Sequence, residues 1–225
     1  MATSTDAPDN SNDFGEIIVS AFKMVTDSWE AFKLNWVTFL ILLLIPMLLV
    51  WAVVFAMFAA FSSGSTASYL IAFFIGVVVF IVACILAPAT IVTQLASAKG
   101  KAVEFSEVFE KSKSVVVPFI GLALLSALVI GVGLILFIVP GLIAAFFLVF
   151  SSYILVDKKL GIIESMKASY ELVKANWEWV VALLLVQLAV SVVSYIPLVG
   201  WIAGLALTVA YFCLPALVYL KITKK

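Results

Sequence analysis

Few side chains in this sequence could do polar chemistry, and their types narrow what that chemistry is. Gln94 and Gln187 are the strongly polar residues set deepest in long apolar runs. Near them Thr90, Thr93, Ser151, Ser152, Ser191, Ser194 and Thr208 could line a path for an uncharged solute, or return hydrogen bonds to their own helices. Asn35 and Asn176 each follow a lysine by two residues, Lys33 and Lys174, at the border between charged and apolar sequence. There they could meet lipid headgroups, or cap a helix start by accepting its free backbone N–H groups. Glu164, Glu171 and Glu178 would form an acid/base cluster only if the fold brought them together with other carboxylates. The chain has no His and no Arg, so it offers no imidazole base or ligand and no guanidinium clamp for phosphate. Cys84 and Cys213 sit inside apolar runs and read as small buried residues, with no disulfide framework or zinc spacing. No phosphate-binding loop, metalloprotease helix or nucleophile elbow occurs. The expectation is no catalytic residue, no metal site and no cofactor.

These residues are carried by a chain that is 65% hydrophobic and 12% charged. A soluble domain is nearer half apolar and a quarter charged, so the solvent for most of this surface should be lipid. The net charge of zero argues against nucleic acid as a partner. The charges fall in four clusters, at 6–33, 99–113, 157–178 and 221–225. Between them lie three uncharged stretches, 34–98, 114–156 and 179–220. One span needs about 20 residues, so each stretch holds two spans and a turn. The turn signals are Ser62-Ser63-Gly64-Ser65-Thr66, Val139-Pro140-Gly141 and Ile196-Pro197-Leu198-Val199-Gly200.

The expected fold is therefore an all-α polytopic membrane bundle of six transmembrane helices in three hairpins. The spans are expected at 36–61, 69–97, 115–138, 142–156, 177–195 and 201–220. With six spans all 13 lysines face one side and the opposite loops carry none, which puts that side and both chain ends in the cytoplasm. Tyr69, Tyr195 and Trp201 should flank the outer loops, and Trp36, Trp177 and Trp179 the inner ends. Pro46, Pro88 and Pro215 fall within spans, where they would kink the helix. Gly200-Trp201-Ile202-Ala203-Gly204 has the spacing that permits close helix contact. Residues 1–13 are acidic and polar and read as a disordered cytoplasmic tail, not as a signal peptide. Residues 14–225 read as one membrane domain, in hairpin units of about 14–98, 99–156 and 157–225.

A weak repeat runs through the cytoplasmic clusters. Ser28-Trp29-Glu30-Ala31-Phe32-Lys33-Leu34-Asn35-Trp36 matches Ser169-Tyr170-Glu171-Leu172-Val173-Lys174-Ala175-Asn176-Trp177. Each copy ends an amphipathic segment and leads into a span. Phe14, Ile18, Phe22, Val25, Trp29 and Phe32 mark the apolar face of the first, and Ile163, Met166, Tyr170 and Val173 that of the second. Phe105, Val108 and Phe109 give a shorter middle version. Such helices lie in the interface plane, with the apolar face toward acyl chains or toward the bundle.

The run from Leu155-Val156-Asp157-Lys158-Lys159-Leu160-Gly161 through Glu164-Ser165-Met166-Lys167-Ala168-Ser169-Tyr170 to Asn176-Trp177, preceded by Val139-Pro140-Gly141, resembles prokaryotic six-span proteins. These are the YciC-like proteins and the glycerophosphoryl diester phosphodiesterase membrane-domain group. The resemblance covers most of the chain after about residue 14 and implies six helices in a prokaryotic plasma membrane. That group's name comes from fusions to a soluble hydrolase domain that uses metal-binding carboxylates and histidines. This chain has no His, so the activity is not carried over. The leading expectation is a noncatalytic membrane protein that organises lipid or a partner protein. The alternative is a small channel or transporter for an uncharged or amphiphilic solute, which needs a polar cavity around Gln187.

Overall fold

The structure is a computed structural model and describes residues 14–194, 207 and 209–224. The acidic tail, the turn at Pro197, Tyr195, Trp201 and the Gly200–Gly204 pattern lie outside the described residues. Among the described residues every regular element is a helix. In chain order they are α1 (Phe14–Leu34), α2 (Trp36–Ser63), α3 (Thr66–Ala98), α4 (Phe105–Lys113) and α5 (Val116–Leu136). Then follow α6 (Ile138–Phe147), α7 (Ser151–Lys158), α8 (Ile162–Ala175), α9 (Trp177–Ser194) and α10 (Leu214–Thr223).

Four helices are long and apolar enough to cross a membrane: α2, α3, α5, and α6 with α7 taken as one run over Ile138–Lys158. A fifth candidate is α8 with α9, bent by 91° at their junction, and Val209–Thr223 is a shorter apolar helix. Their outward side chains are large and apolar, with Phe55, Phe61 and Ile135 each about three-quarters or more exposed. Water would not tolerate such a surface on a monomer of this size, and lipid would. The chain is an integral membrane protein.

Contacts between distant residues gather the charged clusters at one end of the bundle. Lys99, after α3, pairs with Asp157 of α7 at 2.5 Å. The Tyr219 hydroxyl of α10 donates to the other Asp157 oxygen at 3.2 Å. Lys221 donates to Ser20 of α1 at 3.0 Å and lies 4.2 Å from the Trp179 ring. The main core lies at this same end, where α1, α3, α7, α9 and α10 bury Met24, Leu95, Tyr153, Val180 and Tyr219. Trp179 belongs to that core and is 6% exposed, so it is no belt residue, whereas Trp36 and Trp177 are half exposed as expected.

The first outer turn falls where the small polar residues predict it. Gly64 takes the left-handed conformation (φ 61°) and closes α2 by donating to the Ala60 carbonyl at 3.1 Å. The second turn differs from expectation. Phe137 alone makes it, in extended conformation, and Pro140 and Gly141 lie inside the first turn of α6. Pro is tolerated there because that N–H has no intrahelical partner. Gly141 is needed for closeness instead of for a turn. A Cβ on it would stand 2.4 Å from the Leu134 side chain and 2.6 Å from the Leu134 backbone nitrogen. The fourth candidate span consequently starts at Ile138, earlier than 142, and is interrupted between Phe147 and Ser151. Pro215 also departs from expectation: it sits in the first turn of α10, after a turn at 212–213, and not in a helix interior. Pro46 and Pro88 do lie within α2 and α3.

Candidate functional site

The two repeat copies adopt one geometry. At each, a helix with charged residues stops at an asparagine and the chain turns into an apolar helix. Asn35 has φ −127° and ψ 30°, and Asn176 has φ −138° and ψ 39°. The bridge region they occupy is sparsely populated. Each backbone carbonyl takes the first bond of the next helix, from Phe39 N–H (3.0 Å) and from Trp179 N–H (3.1 Å).

Within each copy the serine is buried and the aromatic residue after it is exposed. Ser28 and Ser169 are fully buried, while Trp29 and Tyr170 are 41% and 42% exposed. The serines do the same work. Ser28 Oγ accepts from Cys213 N–H at 3.0 Å, at the break before α10. Ser169 Oγ accepts from Phe150 N–H at 3.3 Å and donates to the Phe147 carbonyl at 2.7 Å, at the break between α6 and α7. A broken helix leaves backbone groups without partners, and lipid supplies none. Each serine therefore docks its helix onto an interrupted apolar one.

The asparagine side chains part ways. Asn35 is buried, and its amide donates to Ser97 Oγ at 2.7 Å and the Lys101 carbonyl at 2.9 Å. Its Oδ1 accepts from Val103 N–H at 2.6 Å. It makes no capping bond to α2 and instead ties the α1–α2 bend to the segment between α3 and α4. A cleft of about 660 Å³ opens beside it, with Trp36, Thr38, Phe105 and Glu104 in its wall. Asn176 is half-buried and donates only one turn back, to the Leu172 carbonyl at 3.0 Å. Lys33 is exposed and pairs with Glu30 at 2.7 Å, and exposed Lys174 lies 5.8 Å from the Tyr170 ring. Neither lysine meets its neighbouring asparagine in a shared site.

The two glutamines also occupy opposite environments. Gln94 is buried, donates to the Phe212 carbonyl at 2.9 Å, and accepts from the Tyr153 hydroxyl at 2.7 Å. It joins α3, α7 and the segment before α10. Gln187 is exposed on α9, between exposed Leu184 and Leu188. The hydroxyls of Thr90, Thr93, Ser151 and Ser191 bond to carbonyls three or four residues back. The structure does not bring these groups to Gln187 as a polar path; the side chains of Ser194 and Thr208 lie outside the described residues. Gln94→Leu is expected to lower stability by about 1–2 kcal/mol, near the top of the range for interhelical hydrogen bonds in membranes. Gln187→Leu should change it by less than about 0.5 kcal/mol. Unfolding of detergent-solubilised protein by dodecyl sulfate checks the pair, and equal losses would contradict the assignment.

The three glutamates are spread along α8 and the start of α9. Glu164 accepts from Gly161 N–H at 3.2 Å at the start of its own helix. Glu171 is exposed on α8, and Glu178 lies beyond the 91° bend. Among the described residues no group of three or more His, Cys, Asp or Glu could hold a metal ion. A feature that sequence reasoning passed over is a basic cleft between the ends of α3, α5 and α7. Lys99, Lys101, Lys111 and Lys159 stand around it with Asp157. Its lysines had been legible only as topology markers, because residues about 60 apart in sequence meet there.

No curated protein and no solved structure matches the chain. A family model matches residues 68–220, which takes in the second repeat copy, Gln94, the interrupted α6–α7 helix and the basic cleft. On that match the chain belongs to the uncharacterised protein family UPF0259.

Proposed function

We propose that the chain is a noncatalytic membrane protein that organises lipid, or a membrane partner held through lipid, at the cytoplasmic face. One observation carries this reading. Both repeat copies present the same exposed apolar edge beside a charged face, Phe22 and Trp29 on α1, Ile163 and Tyr170 on α8. Residues seven apart share one helix face. The buried stripes Ala21, Met24, Ser28 and Ser165, Ser169, Val173 turn toward the bundle. The charged residues take the remaining side. A helix with one edge for protein, one for acyl chains and one for water suits the headgroup boundary.

The reading includes six spans in three hairpins, with residues 14–225 as one domain and both ends cytoplasmic. The gathering of four charged clusters at one end of the bundle supports it, since each apolar stretch must then return to its starting side. The α9 helix and Val209–Thr223 supply the last two spans. The resemblance to YciC-like proteins of the prokaryotic plasma membrane is compatible with the family membership and is part of the proposal. The channel or transporter reading is less favoured, because exposed Gln187 and self-bonded Thr and Ser residues offer it no polar cavity.

Native mass spectrometry of the chain from a mild detergent tests the proposal. The expected result is phospholipid retained on the protein. A chain that leaves the detergent with neither lipid of any class nor a protein partner overturns it.

A further inference from the structure

We propose that the basic cleft between α3, α5 and α7 is a binding site for the phosphate headgroup of an anionic phospholipid; this rests on the lipid-organising reading and names its ligand class. The cleft has a volume of about 320 Å³ and is lined by four lysines, Lys99, Lys101, Lys111 and Lys159, against one acidic residue, Asp157. Asp157 is already shared between Lys99 and the Tyr219 hydroxyl. Lys111 pairs at 2.6 Å with Glu107, one turn back on α4. The ammonium groups of Lys101 and Lys159 have no ion-pair partner among the described residues. Like charges converging on one concavity repel unless an anion joins them.

Several helix ends meet at the cleft. Lys159 is the sole non-glycine residue with positive φ (51°) among the described residues, and it takes that left-handed conformation as the cap that ends α7. Lys99 caps the end of α3, and Ser114 lies between the end of α4 and the start of α5. The lysines therefore stand where the C-terminal ends of α3, α4 and α7 favour cations, and their charge is held together at one concavity.

The cleft is also graded in polarity, which selects a lipid over a free anion. Val92, Leu95 and Ala96 line it on the membrane side of Lys99. At 1.5 Å per residue, Val92 lies about 10 Å further along α3 than Lys99. Val156 of α7 lines the cleft about one turn before Lys159, the residue that caps that helix. Ammonium groups above an apolar wall match a phosphate ester above its acyl chains, as in basic pockets between membrane helices. Inorganic phosphate would gain nothing from the lower half.

The test compares the intact chain with the double variant Lys101→Gln, Lys159→Asn. Asparagine suits the left-handed backbone, and neither change removes the Lys99–Asp157 pair, so folding is preserved and is checked by the unfolding midpoint. Both proteins, in mild detergent, are titrated with phosphatidylglycerol and with phosphatidylcholine and read by native mass spectrometry. A third arm adds inorganic phosphate alone. Loss of two near-surface lysines should weaken phosphatidylglycerol retention by about thirtyfold, with phosphatidylcholine unchanged. Equal phosphatidylglycerol retention by both proteins overturns the site while leaving the broader lipid reading intact. Absence of every lipid from the intact chain also overturns the site, and absence of any protein partner as well overturns the broader reading itself. Binding of inorganic phosphate without a preference for phosphatidylglycerol overturns the lipid assignment.

Discussion

Asn35→Ala is expected to destabilise the folded chain by about 2–4 kcal/mol, the cost of leaving several buried polar groups unpaired. The same change at its repeat partner, Asn176→Ala, should cost less than about 1 kcal/mol, the worth of one hydrogen bond near the surface. The contrast follows from the partners. Asn35 serves two acceptors and one donor at once, and the Lys101 carbonyl, Ser97 Oγ and Val103 N–H all depend on it. Water cannot readily replace it at a residue 5% exposed. Asn176 gives up one bond to a carbonyl one turn back. Asn35→Asp sharpens the test, because it keeps the size and the acceptor for Val103 but sets a carboxylate against the Lys101 carbonyl. It should be at least as damaging as alanine. Dodecyl sulfate titration in mixed micelles, read by tryptophan fluorescence, would measure all three. Equal losses at positions 35 and 176 would mean that the sequence repeat, and not the tertiary contact, governs the cost.

The second large effect is expected at the α5–α6 hairpin. Gly133→Ala and Gly141→Ala should each destabilise it by about 1–3 kcal/mol or more, the range for overpacking. A Cβ on Gly133 would stand 2.8 Å from both the α-carbon and the nitrogen of Gly141. A Cβ on Gly141 meets Leu134, including its backbone. Backbone cannot swing aside as a side chain can, so the helices must separate and lose their close contact. Gly131→Ala is the control. It has nothing within 4 Å of the added methyl, and alanine should be neutral or stabilising by up to about 1 kcal/mol through helix propensity. Thermal aggregation midpoints of the three detergent-solubilised variants decide it. A Gly131→Ala loss as large as that of Gly141→Ala would remove the packing explanation.

These cases show why some features could be read from the sequence and others could not. Proline and glycine mark both turns and close helix contacts, so Pro140-Gly141 reads locally as a loop although the chain turns at Phe137. Two glutamines in apolar runs look alike in one dimension. Rotation about the helix axis buries Gln94 and exposes Gln187, and only the packed bundle fixes that rotation. The serine of the repeat motif gives no signal of its role, because the break it fills lies in a different helix, 185 residues away for Ser28 and 19 for Ser169.

What the sequence determined by itself is the class of solvent and the alternation of charged and apolar segments. Both are additive properties of composition, set by the cost of placing charge and unpaired backbone in hydrocarbon. It also marked Asn35 and Asn176 as the borders where a charged segment gives way to an apolar helix, which follows from local composition. The tertiary structure alone decided which polar groups meet. Gln94 with Tyr153, Asn35 with Val103, and Lys99 with Asp157 are all juxtapositions of segments far apart in the chain. No local energy term records such a meeting. It is produced by side chains close-packing across helices, where a rotation of one residue position, about 100°, changes which groups touch.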